Sequence, residues 1–188
     1  MKEFSTKNNF CVFLTQTDDL GRVVIPKEIR RTMRIREGDP LEIFTERDGE
    51  VIFKKYSPIG ELGEFAAGYA ETLSKTSGLA VVITDKDSVI AVSGAPKKEL
   101  VEKRISEDVE KTMEKKNIFV IDSRGGEGLP VVEGSEKYFA GVVAPIISEG
   151  DTIGTVMMVS DKESMPVGEV EKKLCQSAAG FLGKQMEE

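Results

Sequence analysis

The chain has no histidine and only two cysteines, Cys11 and Cys175, which stand far apart with no CxxC spacing. The absence of histidine excludes the common Cys/His zinc sites and every Ser–His or Cys–His nucleophile, and with them much of enzymology. Long apolar runs are lacking as well. Phe10–Leu14 is too short for a signal-peptide core and no small-residue cleavage site follows it. No stretch approaches the roughly 20 apolar residues that a membrane helix needs. A cytoplasmic protein with reduced thiols, no metal or cofactor and no membrane partner is expected. At 188 residues, 39% apolar and 31% charged, the composition is that of a globular protein with room for two small domains.

Charge is unevenly spread. Between Arg22 and Arg36 there are six cations, Arg22, Lys27, Arg30, Arg31, Arg34 and Arg36, against the single anion Glu28, a local charge of +5 in a chain of formal charge −7. Residues 1–56 carry 11 Lys+Arg and 10 Asp+Glu, a net of +1, and residues 57–188 carry the other 15 and 23, a net of −8. The contrast sets a boundary near Ser57-Pro58. A cationic island in an acidic protein is a site for a polyanion, and DNA is the partner that fits it.

Two strands are expected in the first part, Phe10–Gln16 and Leu20–Ile25, joined by Asp18-Asp19, whose carboxylates bond nearby amides in turns. Pro26 suits the first position of a short helix. Ile29 and Met33 would face inward, while Lys27, Arg30, Arg31 and Arg34, at offsets 0, 3, 4 and 7, share the opposite face. Gly38-Asp39-Pro40 breaks the chain. Strands Leu41–Thr45 and Glu50–Lys55 follow, with Asp48-Gly49 as a tight hairpin turn. So few short elements have little core, and completion by a second copy is expected.

The run from Asp18 through Leu20-Gly21-Arg22-Val23-Val24-Ile25-Pro26 to Glu28-Ile29-Arg30-Arg31 closely resembles the signature of AbrB-type swapped-hairpin transcription factors. The likeness continues through Ile35-Arg36-Glu37-Gly38-Asp39-Pro40-Leu41-Glu42-Ile43 to Lys54-Lys55-Tyr56. It implies a β-barrel-like dimer of interleaved hairpins that binds double-stranded DNA through Arg22, Arg30 and Arg31. The charge pattern adds Lys27, Arg34 and Arg36. The chain departs from the family at Thr15-Gln16-Thr17, where basic residues are usual, and fewer phosphate contacts imply weaker, less salt-dependent binding.

In the second part, Ile59, Leu62, Ala66, Tyr69 and Leu73 step by 3, 4, 3 and 4, a heptad seam, with Phe65 beside it. Val167, Val170, Leu174, Ala178, Phe181 and Gln185 form a second such stripe near the end of the sequence. The two predict helices packed together and across a dimer axis as a bundle; covering one face of their own sheet is the plainer alternative. Gly78 suits the C-cap of the first helix. Between them the pattern gives strands Leu79–Thr84 and Val89–Ser93, helices Lys97–Arg104 and Glu107–Lys115, strand Ile118–Ile121, a loop at Asp122–Gly128, and a hairpin of Phe139–Ile147 and Thr152–Ser160 turning at Glu149-Gly150-Asp151. This is an α+β domain with an antiparallel sheet.

That order, with Ile153-Gly154-Thr155-Val156 in a late strand, resembles a GAF domain. An AbrB-like module at 1–56, a linker or bundle helix at 57–78 and a GAF-like regulatory domain at 79–188 resemble the stage V sporulation protein T family, on residues that include Tyr56-Ser57-Pro58-Ile59, Ala91-Val92-Ser93-Gly94 and Ala178-Ala179-Gly180-Phe181-Leu182. The resemblance implies a nucleoid-associated activator and repressor of sporulation genes in the forespore, tetrameric through its helical bundles. GAF folds often hold a small ligand between sheet and helices. Ser93, Arg104, Ser123, Arg124 and Tyr138, polar residues near predicted strand ends, are candidates for such a pocket, although each is also an ordinary surface residue type, and no ligand is named. No enzyme is expected, because GAF-fold reductases of oxidised methionine use clustered cysteines and Cys175 stands alone in this part. The alternative is an antitoxin that autoregulates a toxin–antitoxin pair, since such proteins reuse the swapped hairpin; the patterned second half argues against it.

Overall fold

The computed structural model describes residues 4–5, 11–12, 15–61, 63–121, 126–162, 165 and 167–187. The chain divides into two compact units, Met1–Tyr56 and Ser57–Glu188. Expectations at Phe10, Phe13, Leu14, Leu62, Ser123 and Arg124 lie outside the described residues.

In the first unit β1 (Phe4–Ser5) pairs antiparallel with β2 (Cys11–Val12). The strand expected over Leu20–Ile25 is reduced to an isolated bridge between Thr17 and Val23. Helix α1 (Lys27–Thr32) follows, then the antiparallel hairpin β3 (Leu41–Thr45) and β4 (Val51–Lys55). The turns before α1 and between β3 and β4 are built alike. Gly21 N–H bonds the Asp18 carbonyl and Gly49 N–H the Glu46 carbonyl, with each glycine at positive φ (76° and 84°). The second spans Arg47-Asp48-Gly49 between the two strands, with Gly49 but not Asp48 at positive φ. None of the residues 15–56 is buried. Leu20, Val24, Ile43, Phe44 and Val51 are exposed apolar side chains, and Met33, expected to face inward, is exposed as well. The reduced strand at Leu20–Ile25 and the bare apolar side chains share one feature: residues 15–56 enclose no core on which they could pack.

The second unit is a three-layer α/β/α arrangement around one antiparallel sheet. Helices α2 (Pro58–Glu61) and α3 (Gly63–Ser77) lead into β5 (Ala80–Thr84) and β6 (Val89–Ser93), then α4 (Lys97–Leu100), α5 (Glu107–Glu114), β7 (Phe119–Val120), β8 (Leu129–Val132), β9 (Ser135–Ser148), β10 (Asp151–Ser160) and α6 (Glu169–Gln185). The strand order is β6-β5-β10-β9-β7, with β8 also on β9. Alternation sorts the side chains of the sheet into two cores. Val81, Ile83, Val142, Ala144, Ile146, Val156 and Met158 pack with Ile59, Ala66, Ala70 and Leu73 of α2 and α3 and with Cys175, Ala178, Ala179 and Leu182 of α6. Val82, Val92, Val143, Met157 and Val159 pack on the other face with Leu100, Ile105, Val109 and Met113.

Two expectations are corrected here. The helix predicted over Lys97–Arg104 stops at Leu100, because Val101 turns extended (ψ 138°) and Glu102 takes a left-handed φ of 63°. The freed segment bonds instead to β6 and the turn before it: Glu102 N–H to the Val89 carbonyl and Ile105 N–H to the Asp87 carbonyl. The predicted heptad seam on α2 and α3 faces the chain's own sheet, the plainer alternative: Ile59, Ala66 and Leu73 are buried there, and Tyr69, half-buried, packs against the same core and meets Phe65 and Phe181.

Inside the sheet, Thr84 and Thr155 face each other across β5 and β10 and share a hydrogen bond of 2.8 Å between fully buried hydroxyls. Thr155→Val would strand the Thr84 hydroxyl and is expected to cost about 1–3 kcal/mol in denaturant unfolding. The double variant Thr84→Val/Thr155→Val should recover most of that loss, since removing both partners is nearly neutral.

Candidate nucleic-acid interface

Four of the six predicted cations stand around α1 with exposed side chains: Arg22, Lys27, Arg30 and Arg31. Asp18 organises the approach to the helix. Its Oδ1 accepts the Leu20 and Arg22 amides at 3.0 and 2.8 Å, and its Oδ2 accepts Arg22 Nε at 2.6 Å. Those bonds, from the Arg22 amide first and then its guanidinium, hold the Asp18 carboxyl below its ordinary pKa. The Arg22 side chain remains 72% exposed while its Nε is held, so the guanidinium is oriented without being covered.

Pro26 sits one residue outside the helix, as its N-cap: its ψ of 146° is extended, and its carbonyl accepts the Arg30 amide at 3.0 Å. Lys27, Arg30 and Arg31 then share α1. Arg34 does not, contrary to the 0, 3, 4, 7 spacing. Ile35 N–H bonds the Arg30 carbonyl at 2.8 Å and Arg34 N–H the Arg31 carbonyl at 3.3 Å, a Schellman ending with Arg34 at the left-handed position, φ 50°. A β-carbon is disfavoured there and glycine is the usual occupant, so with arginine in its place nothing in the residue pattern announces the stop. Arg34 is half-buried, and Arg36 is exposed on the following loop.

That loop is fixed from two sides. Asp39 Oδ2 accepts the Arg36 amide at 2.9 Å and pairs with Lys55 Nζ at 3.0 Å. Lys55 Nζ also donates to the Arg34 carbonyl at 3.0 Å. Neither Asp39 nor Lys55 stands out in the sequence as part of the site. Only the Gly38-Asp39-Pro40 break hints that this loop has a fixed shape.

Of the residues predicted to line a ligand pocket in the second unit, Ser93, Arg104 and Tyr138 are described. Ser93 ends β6, and Arg104 bridges back to Ser88. Tyr138 lies buried on β9 beside Lys137 and Glu99, where burial first, and then the Glu99 carboxylate, raise its pKa. A cavity of about 510 Å³ lies elsewhere, between the start of α5 and the β8–β9 turn, lined by Ser106, Pro130, Val132 and Glu133 among others. Cys175 is buried on α6, and desolvation raises its thiol to about 12, so it is no nucleophile near neutral pH.

Comparison with known proteins places this architecture. Residues 14–60 match the family described as "Antidote-toxin recognition MazE, bacterial antitoxin", and residues 61–187 match "Stage V sporulation protein T C-terminal, transcription factor". Over 43 residues the chain is 56% identical to the transition state regulatory protein AbrB of Bacillus subtilis, covering 23% of this chain and 44% of that one. The GAF domain of an Acinetobacter phosphoenolpyruvate-protein phosphotransferase has the fold of the second unit, with a TM-score of 0.54 at 11% identity over 66% of this chain and 81% of that one. So does a free methionine-R-sulfoxide reductase of Thermoplasma acidophilum, with a TM-score of 0.52 at 13% identity over 68% and 94%. An AbrB-like module followed by a GAF-like domain defines a class of transcriptional regulator. Over 172 residues, 91% of this chain and 94% of the relative, it is 54% identical to stage V sporulation protein T of Bacillus subtilis. The chain belongs to the stage V sporulation protein T family of transcription factors.

Proposed function

We propose that the first unit, residues 1–56, binds double-stranded DNA as a dimer of interleaved hairpins, and that the chain activates or represses sporulation genes in the forespore according to promoter. The observation that carries this reading is the exposed cationic set Arg22, Lys27, Arg30 and Arg31 on a unit with no buried residue among 15–56. A surface so charged asks for a polyanion, and a hairpin so bare asks for a second copy. Arg34 and Arg36 add to the positive field from the loop. Genome-wide mapping of the DNA bound in sporulating cells tests the reading; enrichment at promoters of sporulation genes is expected, and a profile no different from a mock capture would sink it.

Residues 57–78 and the last helix supply the means of assembly beyond the dimer. Tyr69 stacks on Phe181 with ring centroids 5.6 Å apart, and Phe65 lies 5.8 Å from Phe181. Phe65, Phe181 and Val170 are exposed. Val170 and Phe181, eleven residues apart on α6, fall on one side after about three turns. This aromatic face is where a further copy packs to make the tetramer. Phe181→Glu is expected to halve the mass of the assembly in analytical ultracentrifugation; an unchanged mass would remove this face from the interface. The GAF-like unit then serves as the sensory half. The antitoxin reading rests on the match of residues 14–60 alone, and recovery of a co-encoded endonuclease toxin in a pull-down would favour it.

A further inference from the structure

We propose that Lys55 and Asp39 are positioning residues of the DNA-binding surface: their ion pair holds the loop that presents Arg34 and Arg36, and Lys55 itself is not a phosphate contact. The inference rests on the reading of the first unit as DNA-binding and assigns a role within it.

Lys55 closes β4 next to Lys54, yet the two differ. Strand alternation sends them to opposite faces, and Lys54 is exposed while Lys55 is half-buried. Only 18% of the Lys55 side chain and 9% of the Asp39 side chain remain accessible. The Lys55 ammonium is engaged at 3.0 Å by the Arg34 carbonyl and at 3.0 Å by Asp39 Oδ2, so it is turned into the protein, where Arg22, at 72% exposure, is turned out. The Arg34 carbonyl it holds belongs to the residue at φ 50° that ends α1. An arginine in that conformation needs support from its surroundings, and Lys55 supplies it from a different element. Asp39 completes the clamp. It receives the Arg36 amide at 2.9 Å, while its own amide bonds the Arg36 carbonyl at 3.2 Å. Pro40 extends the clamp into the hairpin, its carbonyl accepting the Tyr56 amide at 3.1 Å. One ammonium and one carboxylate thus fix both ends of residues 34–39.

The role makes a prediction whose sign is opposite to that of simple charge. Asp39→Asn removes an anion from a DNA-binding surface, and by electrostatics alone it should tighten binding. As the loss of a positioning group it should weaken binding instead. With the full chain and a mixed-sequence DNA duplex across a salt series, Asp39→Asn and Lys55→Met are each expected to weaken binding about three- to tenfold at ~0.1 M salt. The double variant should be no more than about twofold weaker than either single one, because both break the same clamp. Tighter or unchanged binding by Asp39→Asn would overturn the proposal. So would a Lys55→Met loss joined to a salt slope shallower by about one per lysine, the mark of a phosphate contact. Hydrogen exchange on Lys55→Met keeps the test independent of a folding defect in Asp39→Asn. The Arg36 amide is expected to exchange at least about tenfold faster while the amides shared by β3 and β4 keep their protection; an unchanged Arg36 rate overturns the proposal. Absence of salt-dependent binding by the unsubstituted chain would instead overturn the DNA-binding reading itself.

Discussion

Replacing Arg30 and Arg31 together with alanine is expected to weaken binding to duplex DNA by more than about tenfold and to make its dependence on salt shallower. Both side chains are exposed on α1 and neither is needed for a core, since the helix has no buried residue. A dimer would lose four cations. If each neutralises one phosphate, the slope of log K against log salt falls by about 3.6, at about 0.9 per phosphate on B-form DNA. The two readouts separate the causes of a loss. A variant that merely unfolds loses binding at every salt concentration and loses its thermal transition, whereas one that lost phosphate contacts approaches the unsubstituted chain as salt rises. Unchanged affinity would take α1 off the DNA face and leave Arg22 and the loop at Arg36 as the remaining cationic candidates.

Gly183→Val is expected to damage the second unit more than any surface change. Gly183 is buried near the end of α6, and a β-carbon there would sit against the carbonyl oxygen and carbon of Ile147 in β9. Both obstacles are backbone atoms of a central strand, so no rotamer change relieves them and the helix must lift from the sheet. Lifting α6 uncovers Cys175, Ala178, Ala179 and Leu182, the residues with which it closes its core. A penalty above about 3 kcal/mol follows for forced overpacking with partial loss of burial, seen as a fall in the melting temperature of about 10 °C or more. Gly180→Ala is the matched control. Nothing lies within 4 Å of a β-carbon at Gly180, so the same helix should gain about 0.5–1 kcal/mol from the lost backbone freedom of the unfolded chain. Equal melting temperatures for the two variants would remove the close approach of α6 to β9 as a determinant of stability.

Much of this architecture is legible in the residues. The apolar runs of β5, β6, β9 and β10 announce themselves because these strands are buried on both faces and need no polar alternation. Strand β8 does not, since the pattern assigns residues 129–138 to no element and Pro130 lies inside the strand. It is tolerated because β8 lies off the main path of the sheet, where proline costs least. The helix expected through Arg104 fails for a different reason: Val89 and Asp87 carbonyls, remote in sequence, compete for its amides and win. In the first unit the cations around α1 follow from spacing alone. The exit of Arg34 from the helix does not, because a left-handed arginine is stabilised by Lys55, twenty-one residues away. Composition shows which charges are in excess; it cannot show which of them are turned inward.

The lack of any buried residue among 15–56 has a consequence for gene dosage. A fold completed only by a second copy is governed by mass action: well below its dissociation constant, halving the chain concentration lowers the competent species about fourfold. A regulator built so would act as a counter of its own abundance. In the proposed assembly the second unit changes the yield of each encounter. Two chains held together through the aromatic face of α3 and α6 belong to different hairpin dimers, so when two such pairs meet, the first hairpin pairing is bimolecular and the second follows at an effective concentration on the order of millimolar. The response to dosage stays quadratic, but each encounter completes two DNA-binding units instead of one. The second unit would in this way decide how few copies a cell needs for the first to form.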